Sequence, residues 1–407
     1  MHKRFSFWIF LVLLISMSVA SLASVGHARL WEAFTYPSYG GLMLLLAFAG
    51  GSSMWLANRC SRHPYTNALS SIVLATIVPF ILLAAVFYVA GWGFSRSFYI
   101  NFFAAVAVAN LTLNFPRMRG RIRVCAISTE VEQVIRSLEA SSVQVLSLDE
   151  VDSCDVFVAD MRHESGHLPS DLLSRLTARG AEIVDLNNFV ETVTGKVDLQ
   201  QIPDNADSLL RPKDYIGLKR LWETAFVLIS APLWLTVAFF VAVAVRLDSK
   251  GPLIFKQRRV GLYGEIFEMY KFRSMFVDSE ASGPRFAAES DHRITRVGRV
   301  IRKYRLDEIP QLWNVLKGDM SLIGPRPEQE PFVASYTQTI PLYAARHFVR
   351  PGITGWAQVV HGYTDDEAGA MEKLAYDLYY VKNFSLWLDL LVVMKTLGVI
   401  LKGFGSR

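Results

Sequence analysis

The sequence predicts a membrane protein that combines α and α/β parts, with a helical front and α/β structure behind it. Hydrophobic residues make up 52% of the 407 residues, and charged residues make up only 19%, below the roughly 25% of soluble domains. The net charge is +7 over residues 1–120, −7 over residues 121–200 and +5 over residues 201–407. This length and unevenness indicate several domains, and the composition excludes a disordered or nucleic-acid-coating protein.

Residues 1–120 are predicted to form a bundle of four transmembrane helices. Their apolar runs, at about 5–25, 39–57, 68–90 and 98–115, are each close to the ~20 residues that span a bilayer. The first run could be a signal peptide, but it is longer than a cleavable apolar region and three spans follow, which favours an anchor. Most loop bases fall on one side, so we expect both ends of the bundle in the cytoplasm.

Residues 121–200 predict a small parallel α/β insert of Rossmann-like type. Four strands are expected at 121–127, 143–148, 154–161 and 181–186, with helices at about 129–140 and 168–179. A dinucleotide site needs a glycine-rich turn after the first strand, whereas Ile127–Glu130 contains no glycine. We therefore expect a regulatory or docking role, with His163 and His167 at the surface.

The cysteines do not form a recognisable motif. Cys60, Cys125 and Cys154 include no CxxC pair, which excludes a disulfide scaffold and a thiolate zinc ribbon. We expect free thiols, in a reducing compartment or buried in the membrane.

A basic linker at residues 201–220 leads to a fifth apolar segment, predicted as a re-entrant helix over 221–245. Residues 224–245 carry no charge, but basic residues on both sides indicate that both flanks are cytoplasmic. Ser230 and Pro232 mark the predicted break, because proline removes a backbone donor inside a helix. The alternative, an ordinary kinked span, would place residues 246–407 outside the cell.

Eleven bases between residues 258 and 305 suggest phosphate binding. Glycines and aromatics interrupt this cluster, so it is not a plain helix face, and arginines gathered from short elements suit bidentate phosphate contacts. No nucleic-acid module is recognisable, so nucleic acid is not expected as a partner. The cluster consists of Arg258, Arg259, Lys271, Arg273, Arg285, Arg293, Arg296, Arg299, Arg302, Lys303 and Arg305.

Asp307 and Glu308 directly follow these bases. Adjacent acids are common as surface decoration, but a carboxylate held among bases stays ionised and can act as a nucleophile or bind a divalent metal. Two proline- and glycine-rich loops follow, one presenting Arg326 and the other beginning at Arg350.

These motifs resemble those of the bacterial sugar transferase domain of polyprenyl-phosphate phosphoglycosyl transferases, the monotopic kind with a re-entrant helix. The resemblance covers residues 211–407, and the whole chain resembles the long form with four spans and a Rossmann-like insert. It implies a mostly helical catalytic domain over 221–407. The matching motifs are Lys271–Met275, Leu306–Glu308, Gly318–Pro327, Arg350–Gly355 and Tyr376–Tyr380.

The resemblance implies a two-step transfer through a covalent intermediate on Asp307. The resemblance implies a nucleotide diphospho-sugar as the donor, namely a UDP-hexose such as UDP-glucose or UDP-galactose. Undecaprenyl phosphate would be the acceptor, and Glu308 would bind Mg²⁺. Asp377 could contact substrate or form an internal ion pair. Phosphate binding is assigned to Lys271, Arg273, Arg302, Arg326 and Arg350.

We expect such a protein in the bacterial inner membrane, with the catalytic domain on the cytoplasmic face. Trp387–Phe404 is predicted as an amphipathic helix against membrane lipid, and the bundle and insert offer surfaces for a homodimer. The function would be the first step of exopolysaccharide, capsule or O-antigen assembly. The alternative is a non-catalytic membrane scaffold or sensor, which the intact Asp307–Glu308 pair and arginine loops disfavour.

Overall fold

The computed structural model of the protein divides into two compact units, residues 1–194 and 195–407. The described residues are 37–60, 68–89, 96–119, 122–138, 140, 143–146, 154, 156–161, 176, 182–199, 215–276, 293–361 and 367–402.

Three helices in the first unit coincide with three of the four predicted spans. They are α1 (Pro37–Cys60), α2 (Ala68–Val89) and α3 (Arg96–Arg119), and their shared core includes Leu46, Phe80 and Phe102. The predicted span at 5–25 lies outside the described residues. The four-helix membrane bundle therefore stays a prediction.

One polar residue joins the three helices inside their apolar core. Asn110 of α3 donates from Nδ2 to Ser53 Oγ of α1 at 2.8 Å and to Thr76 Oγ1 of α2 at 2.9 Å. All three side chains are buried. Because a buried amide is costly unless it is hydrogen-bonded, this contact favours one register of the three helices.

The predicted parallel sheet is confirmed. Its strands are β1 (Ile122–Ala126), β2 (Val143–Leu146), β3 (Val156–Ala159) and β4 (Glu182–Asp185), in the order β2-β1-β3-β4 and all parallel. Helix α4 (Thr129–Ser137) follows β1 and is capped by Ser128, and α5 (Leu186–Thr194) follows β4. The predicted helix at 168–179 lies outside the described residues, except for Leu176. His163 and His167 also lie outside them.

The expectation of free thiols is wrong for two cysteines, because the structure joins Cys125 and Cys154 in a disulfide. Cys125 is in β1 and Cys154 lies two residues before β3, which is the neighbouring strand. Parallel pairing brings them to a Cα–Cα distance of 5.9 Å across 29 residues of sequence. The two cysteines come together because their strands pair, so no local sequence motif could have revealed the disulfide.

The second unit begins with the helix pair that contains the predicted break. Helix α6 (Ile216–Ile229) ends at Ser230, and α7 (Ala231–Asp248) begins directly after it with Pro232 in its first turn. Ser230 Oγ donates to the Phe226 carbonyl at 2.7 Å, and Trp234 Nε1 donates to the Val227 carbonyl at 3.0 Å. The break is confirmed, and the re-entrant course stays a prediction.

Among the residues whose side chains the structure describes, α7 is the one helix that is long and apolar enough to cross a membrane. Shorter apolar stretches occur at 44–57 in α1 and 99–113 in α3. The pair α6–α7 exposes large apolar side chains that include Leu221, Ile229 and Leu247. Exposed apolar surface of this extent indicates a lipid or protein contact.

The remaining elements form a mixed framework around the acid pair of residues 307 and 308. Strands β5 (Ile254–Val260) and β6 (Ile266–Phe272) form an antiparallel hairpin, and β7 (Ser321–Ile323) pairs in parallel with β8 (Gly352–Thr354). The helices are α8 (Arg296–Lys303), α9 (Gln311–Lys317), α10 (Glu330–Thr339), α11 (Trp356–Val360), α12 (Glu367–Lys382) and α13 (Leu386–Lys402).

Helix α13 corresponds to the predicted amphipathic helix, and part of its apolar face packs on protein. Leu388, Leu391 and Val392 are buried, whereas Leu397 is 37% exposed. The expectation of a lipid contact is therefore wrong for the three buried residues and stays a prediction for the rest of the helix.

The β7–β8 pair depends on glycine at its closest approach. Gly324 N donates to the Thr354 carbonyl, and Gly352 N donates to the Pro325 carbonyl, both at 2.9 Å. A Cβ added to Gly352 would lie 2.1 Å from Gly324 N. Only backbone surrounds that position, so no side chain can move away to make room.

We expect Gly352→Ala to destabilise the protein by about 3 kcal/mol, the upper range of overpacking in a dense core. Thermal unfolding of the purified full-length chain in detergent measures this loss. Gly398→Ala is the control, because nothing lies within 4 Å of its added Cβ. Equal unfolding midpoints for the two variants would contradict the predicted clash.

Candidate active site

Asp307 and Glu308 lie in a buried 3₁₀ turn, Leu306–Glu308, between α8 and α9. Each residue is only 8% exposed. The preceding residue, Arg305, has a left-handed backbone with φ 54° and ψ 24°, which is uncommon for a residue with a side chain. This conformation follows the end of α8, and the Arg305 side chain reaches Glu308 with NH1 3.8 Å from Oε2.

Two further cations converge on Glu308 from distant parts of the chain. Lys271 at the end of β6 places Nζ 3.6 Å from Oε1. Arg326, three residues after β7, directs both NH1 and NH2 to the same oxygen at 3.3 Å. The structure therefore brings together four sequence-predicted residues, Asp307, Glu308, Lys271 and Arg326.

Burial and neighbouring charges shift the pKa values of the two acids in opposite directions. Burial raises the pKa of Asp307, as does the neighbouring Glu308, while Lys271 and Arg302 oppose the rise. Burial also acts to raise the pKa of Glu308, but Arg326 and Lys271 outweigh it and hold that pKa well below its usual range. Burial lowers the pKa of Lys271 to about 8. Glu308 is thus the firmly ionised member of the pair.

Arg302 is the fifth predicted residue at this site. It lies on α8, five residues before Asp307, close enough for its charge to oppose the rise in the pKa of that carboxyl group. Arginines, a lysine and two carboxylates gathered around one buried turn can bind a phosphate and hold a nucleophile beside it.

Arg326 is held through its backbone by a residue that the sequence analysis missed. Arg346 NH2 donates to the Arg326 carbonyl at 2.9 Å, and NH1 donates to Tyr343 Oη at 2.6 Å. Arg346 also forms a buried ion pair with Asp377, with N and O 2.7 Å apart. Asp377 therefore takes the internal ion-pair alternative. Arg346 lies in a 3₁₀ helix, Tyr343–Phe348, which contains no motif that could have revealed this contact.

Arg273 and Arg350 have other contacts. Arg273 donates from NH2 to the carbonyl and hydroxyl of Ser249 at the end of α7, at 2.6 and 2.8 Å. It is 5% exposed, and its Nε and NH1 have no hydrogen-bond partner among the described residues. Arg350 donates from Nε to the Gly318 carbonyl at 2.9 Å, which closes the end of α9. Their assignment to phosphate stays a prediction.

The described residues contain no group of three or more His, Cys, Asp or Glu side chains that could hold a metal ion. Mg²⁺ is commonly bound by one or two carboxylates together with substrate phosphates and water. The Asp307–Glu308 pair fits that mode of binding and does not fit an all-protein metal cage.

A buried histidine next to this site predicts a pH effect on stability. Burial and the neighbouring Arg346 lower the pKa of His347 to about 3 from an ordinary value of 6.5. Between pH 3 and 6.5 the unfolded chain binds a proton there and the folded chain does not, so the free energy of unfolding decreases as pH falls below 6.5.

At pH 5 the expected penalty is about 2 kcal/mol, from about 1.4 kcal/mol per unit of pKa difference. His347→Gln does not titrate, so its unfolding midpoint should fall less than that of the wild type between pH 7 and pH 5. Thermal unfolding at both values measures this difference, and the titration of other groups is common to the two proteins. Parallel declines would show that His347 does not carry the effect.

Comparison with known proteins assigns the chain to a family. The family profile described as bacterial sugar transferase matches residues 214–403. The UDP-N-acetylgalactosamine-undecaprenyl-phosphate N-acetylgalactosaminephosphotransferase of Aeromonas hydrophila is 47% identical over 256 residues, 62% of this chain and 60% of its own length.

Two UDP-glucose:undecaprenyl-phosphate glucose-1-phosphate transferases are also similar. That of Xanthomonas campestris pv. campestris is 45% identical over 38% of this chain and 33% of its own length. That of Caulobacter vibrioides is 40% identical over 45% of this chain and 69% of its own length. The chain thus spans only part of the first two relatives that it matches.

Proposed function

The chain belongs to the bacterial sugar transferase family, and on that basis we propose that it transfers a sugar-1-phosphate from a UDP-sugar to undecaprenyl phosphate. The observation that carries the proposal is the buried Asp307–Glu308 pair with Lys271 and Arg326 directed at Glu308. The names of two of the three relatives give glucose and that of the third gives N-acetylgalactosamine, and all three name undecaprenyl phosphate. The product would begin the assembly of a surface polysaccharide on a lipid carrier.

Asp307 is the proposed nucleophile. Its carboxylate oxygen attacks the β-phosphorus of the UDP-sugar, and the bond from that phosphorus to the bridging oxygen breaks, so UMP leaves with the electron pair. An oxygen of undecaprenyl phosphate then attacks the same phosphorus and releases the Asp307 carboxylate. Dividing one displacement into two in this way is nucleophilic catalysis.

The cations of the site are proposed to bind and orient the phosphates. Arg326 directs NH1 and NH2 to the same oxygen of Glu308, and these two donors also suit a phosphate oxygen. Lys271 and Arg302 add charge next to Asp307. Together they stabilise the negative charge on the transferred phosphoryl group.

Glu308 is the proposed Mg²⁺ ligand. Its depressed pKa keeps it ionised at neutral pH, as a hard cation requires. When bound, the metal would neutralise phosphate charge and stabilise the departing UMP oxygen. Removing divalent ions with EDTA tests whether the reaction needs a metal, and added Mg²⁺ should restore activity.

Release of UMP tests the reaction itself. The purified full-length protein is given Mg²⁺, undecaprenyl phosphate and, in separate assays, UDP-glucose, UDP-galactose or UDP-N-acetylgalactosamine. We expect UMP release with one of these and much less with the others. No release with any member of this panel, while a known relative is active under the same conditions, would favour a non-catalytic scaffold.

We further propose that α6 and α7 enter the cytoplasmic leaflet of the bacterial inner membrane and return to the same side. Single cysteines at Leu218 and Lys250, in a chain whose native cysteines are alanine, test this course. An impermeant thiol reagent added to intact spheroplasts should label neither site, and it should label both after lysis. Labelling of one site in intact spheroplasts would show that the segment crosses the membrane.

A further inference from the structure

A buried polar network connects helix α6 to the rest of the second unit. Lys219 and Glu223, one helical turn apart, are 4% and 1% exposed, and Lys219 Nζ lies 2.9 Å from Glu223 Oε1. Asp389 of α13 is 1% exposed and pairs with the same Nζ. Two carboxylates thus share one lysine inside the protein. None of these residues belongs to the site of Asp307.

The Glu223 carboxylate is bound to strand β7 by three donors in succession. Ser321 Oγ donates to Oε2 at 2.5 Å, and the amides of Leu322 and Ile323 donate to Oε1 at 3.1 and 3.3 Å. The Arg326 loop begins at the next residue, Gly324. One side chain of α6 therefore fixes the backbone that leads to Arg326.

The other partners of the network hold the same strand from α12 and α13. Tyr380 Oη donates to Asp389 Oδ1 at 2.6 Å and lies 3.1 Å from the Ile323 carbonyl. Tyr215 Oη donates to Asp389 Oδ2 at 2.8 Å. Both the amide and the carbonyl of Ile323 are thus tied to the network. This residue has little freedom to shift alone.

A buried charged network joins two elements at a large cost in desolvation free energy. Breaking up the hydration of buried charges costs several kcal/mol per ion, and apolar replacements of buried ion pairs are often as stable. What the network adds is a fixed direction, since three hydrogen bonds to one carboxylate allow a single register of β7 on α6. The opposite face of α6 exposes Leu218 and Leu221. One face of the helix therefore joins the network and the other points away from the protein.

We propose that Glu223 is a positioning residue, which fixes the Arg326 loop to helix α6 so that donor phosphates bind in the right place. Lys219 and Asp389 hold the Glu223 carboxylate in place. The proposal rests on the proposed function, because it takes Arg326 to bind donor phosphate. The lipid acceptor is less affected, since the network reaches the site through the Arg326 loop.

Glu223→Gln tests the proposal, because it keeps the side-chain shape and removes the charge and one acceptor. We expect the KM for the UDP-sugar to rise about tenfold, with less than a twofold change in the KM for undecaprenyl phosphate. A merely structural role would lower kcat through loss of active protein and leave both KM values unchanged. Ser321→Ala removes one donor to the same carboxylate, and we expect a smaller change in the same direction if Glu223→Gln does not fold.

Glu268→Gln is the matched control. It makes the same chemical change in an exposed ion pair, where Glu268 lies 3.0 Å from Lys256 and both side chains are more than half exposed. Its KM values should equal those of the wild type. An unchanged donor KM in both Glu223→Gln and Ser321→Ala would overturn the proposal.

Amide hydrogen exchange separates this inference from the proposed function. Peptides that cover residues 320–326 should exchange at least tenfold faster in Glu223→Gln than in the wild type, whereas peptides of β5 and β6 should not change. This readout needs no substrate, so it decides the contact even if the wild type releases no UMP. Unchanged exchange at 320–326, or an equal rise throughout the unit, would overturn the positioning role.

Discussion

Replacing Asp307 with asparagine should lower UMP release by at least roughly a thousandfold, because an amide cannot act as the nucleophile. The change is isosteric and removes one of two adjacent buried acids, so the fold should remain. Purified wild-type and variant proteins are compared with UDP-sugar, Mg²⁺ and undecaprenyl phosphate. Full activity of Asp307→Asn would rule out Asp307 as the nucleophile.

Glu330→Gln is the control for this change. Glu330 forms an exposed ion pair with Arg258, at 3.3 Å, and exposed pairs contribute little to stability. The variant should retain wild-type activity. If it also lost activity, the assay would be reporting a general sensitivity of the protein to lost carboxylates.

Trapping the intermediate separates the roles of the two acids. Without lipid acceptor, wild-type protein and a UDP-sugar labelled in the sugar should give a covalent adduct on the peptide that contains Asp307. An acyl phosphate is cleaved by hydroxylamine, so the label should be lost on that treatment. Asp307→Asn should give no adduct, and an adduct on Glu308 would exchange the two roles.

The secondary structure was predictable where local patterns suffice. The four strands of the insert appeared as short apolar runs between turn residues, and Pro232 marked the end of α6 because its missing N–H group acts locally. The disulfide of Cys125 and Cys154 was not predictable, since it depends on which strands become neighbours. Composition alone says nothing of strand order.

The charged residues of the site were predictable from the sequence, but the residues that hold them in place were not. Asp307 and Glu308 stood out because they directly follow a cluster of bases, and their roles and those of Lys271 and Arg326 came from the resemblance of their motifs to a known family. The partners that hold them did not stand out. The contacts that support the site, from Arg346 to the Arg326 carbonyl and from Glu223 to Ser321, join elements that are distant in sequence. A single charged residue on a helix is usually solvated.

The second large effect concerns Asp377, which we expect to act through Arg346. Asp377→Ala leaves a buried guanidinium without its carboxylate, because Arg346 is 3% exposed, and such a change typically costs about 3–5 kcal/mol. Thermal unfolding of purified full-length protein measures the loss. Glu372→Ala on the same helix removes an exposed pair with Lys196 and should cost no more than about 1 kcal/mol.

The double variant Arg346→Met/Asp377→Leu distinguishes two roles of Asp377, which are holding Arg346 in place and contacting the substrate directly. Removing both charges takes away the unpaired ion, so most of the lost stability should return. Activity should stay low, because the Arg326 carbonyl has then lost the donor that lies at 2.9 Å. Arg346→Met alone should show the same donor KM as the double variant, since either change releases Arg326. If Asp377→Leu further raised that KM in the Arg346→Met background, Asp377 would contact the substrate itself and the ion pair would be secondary.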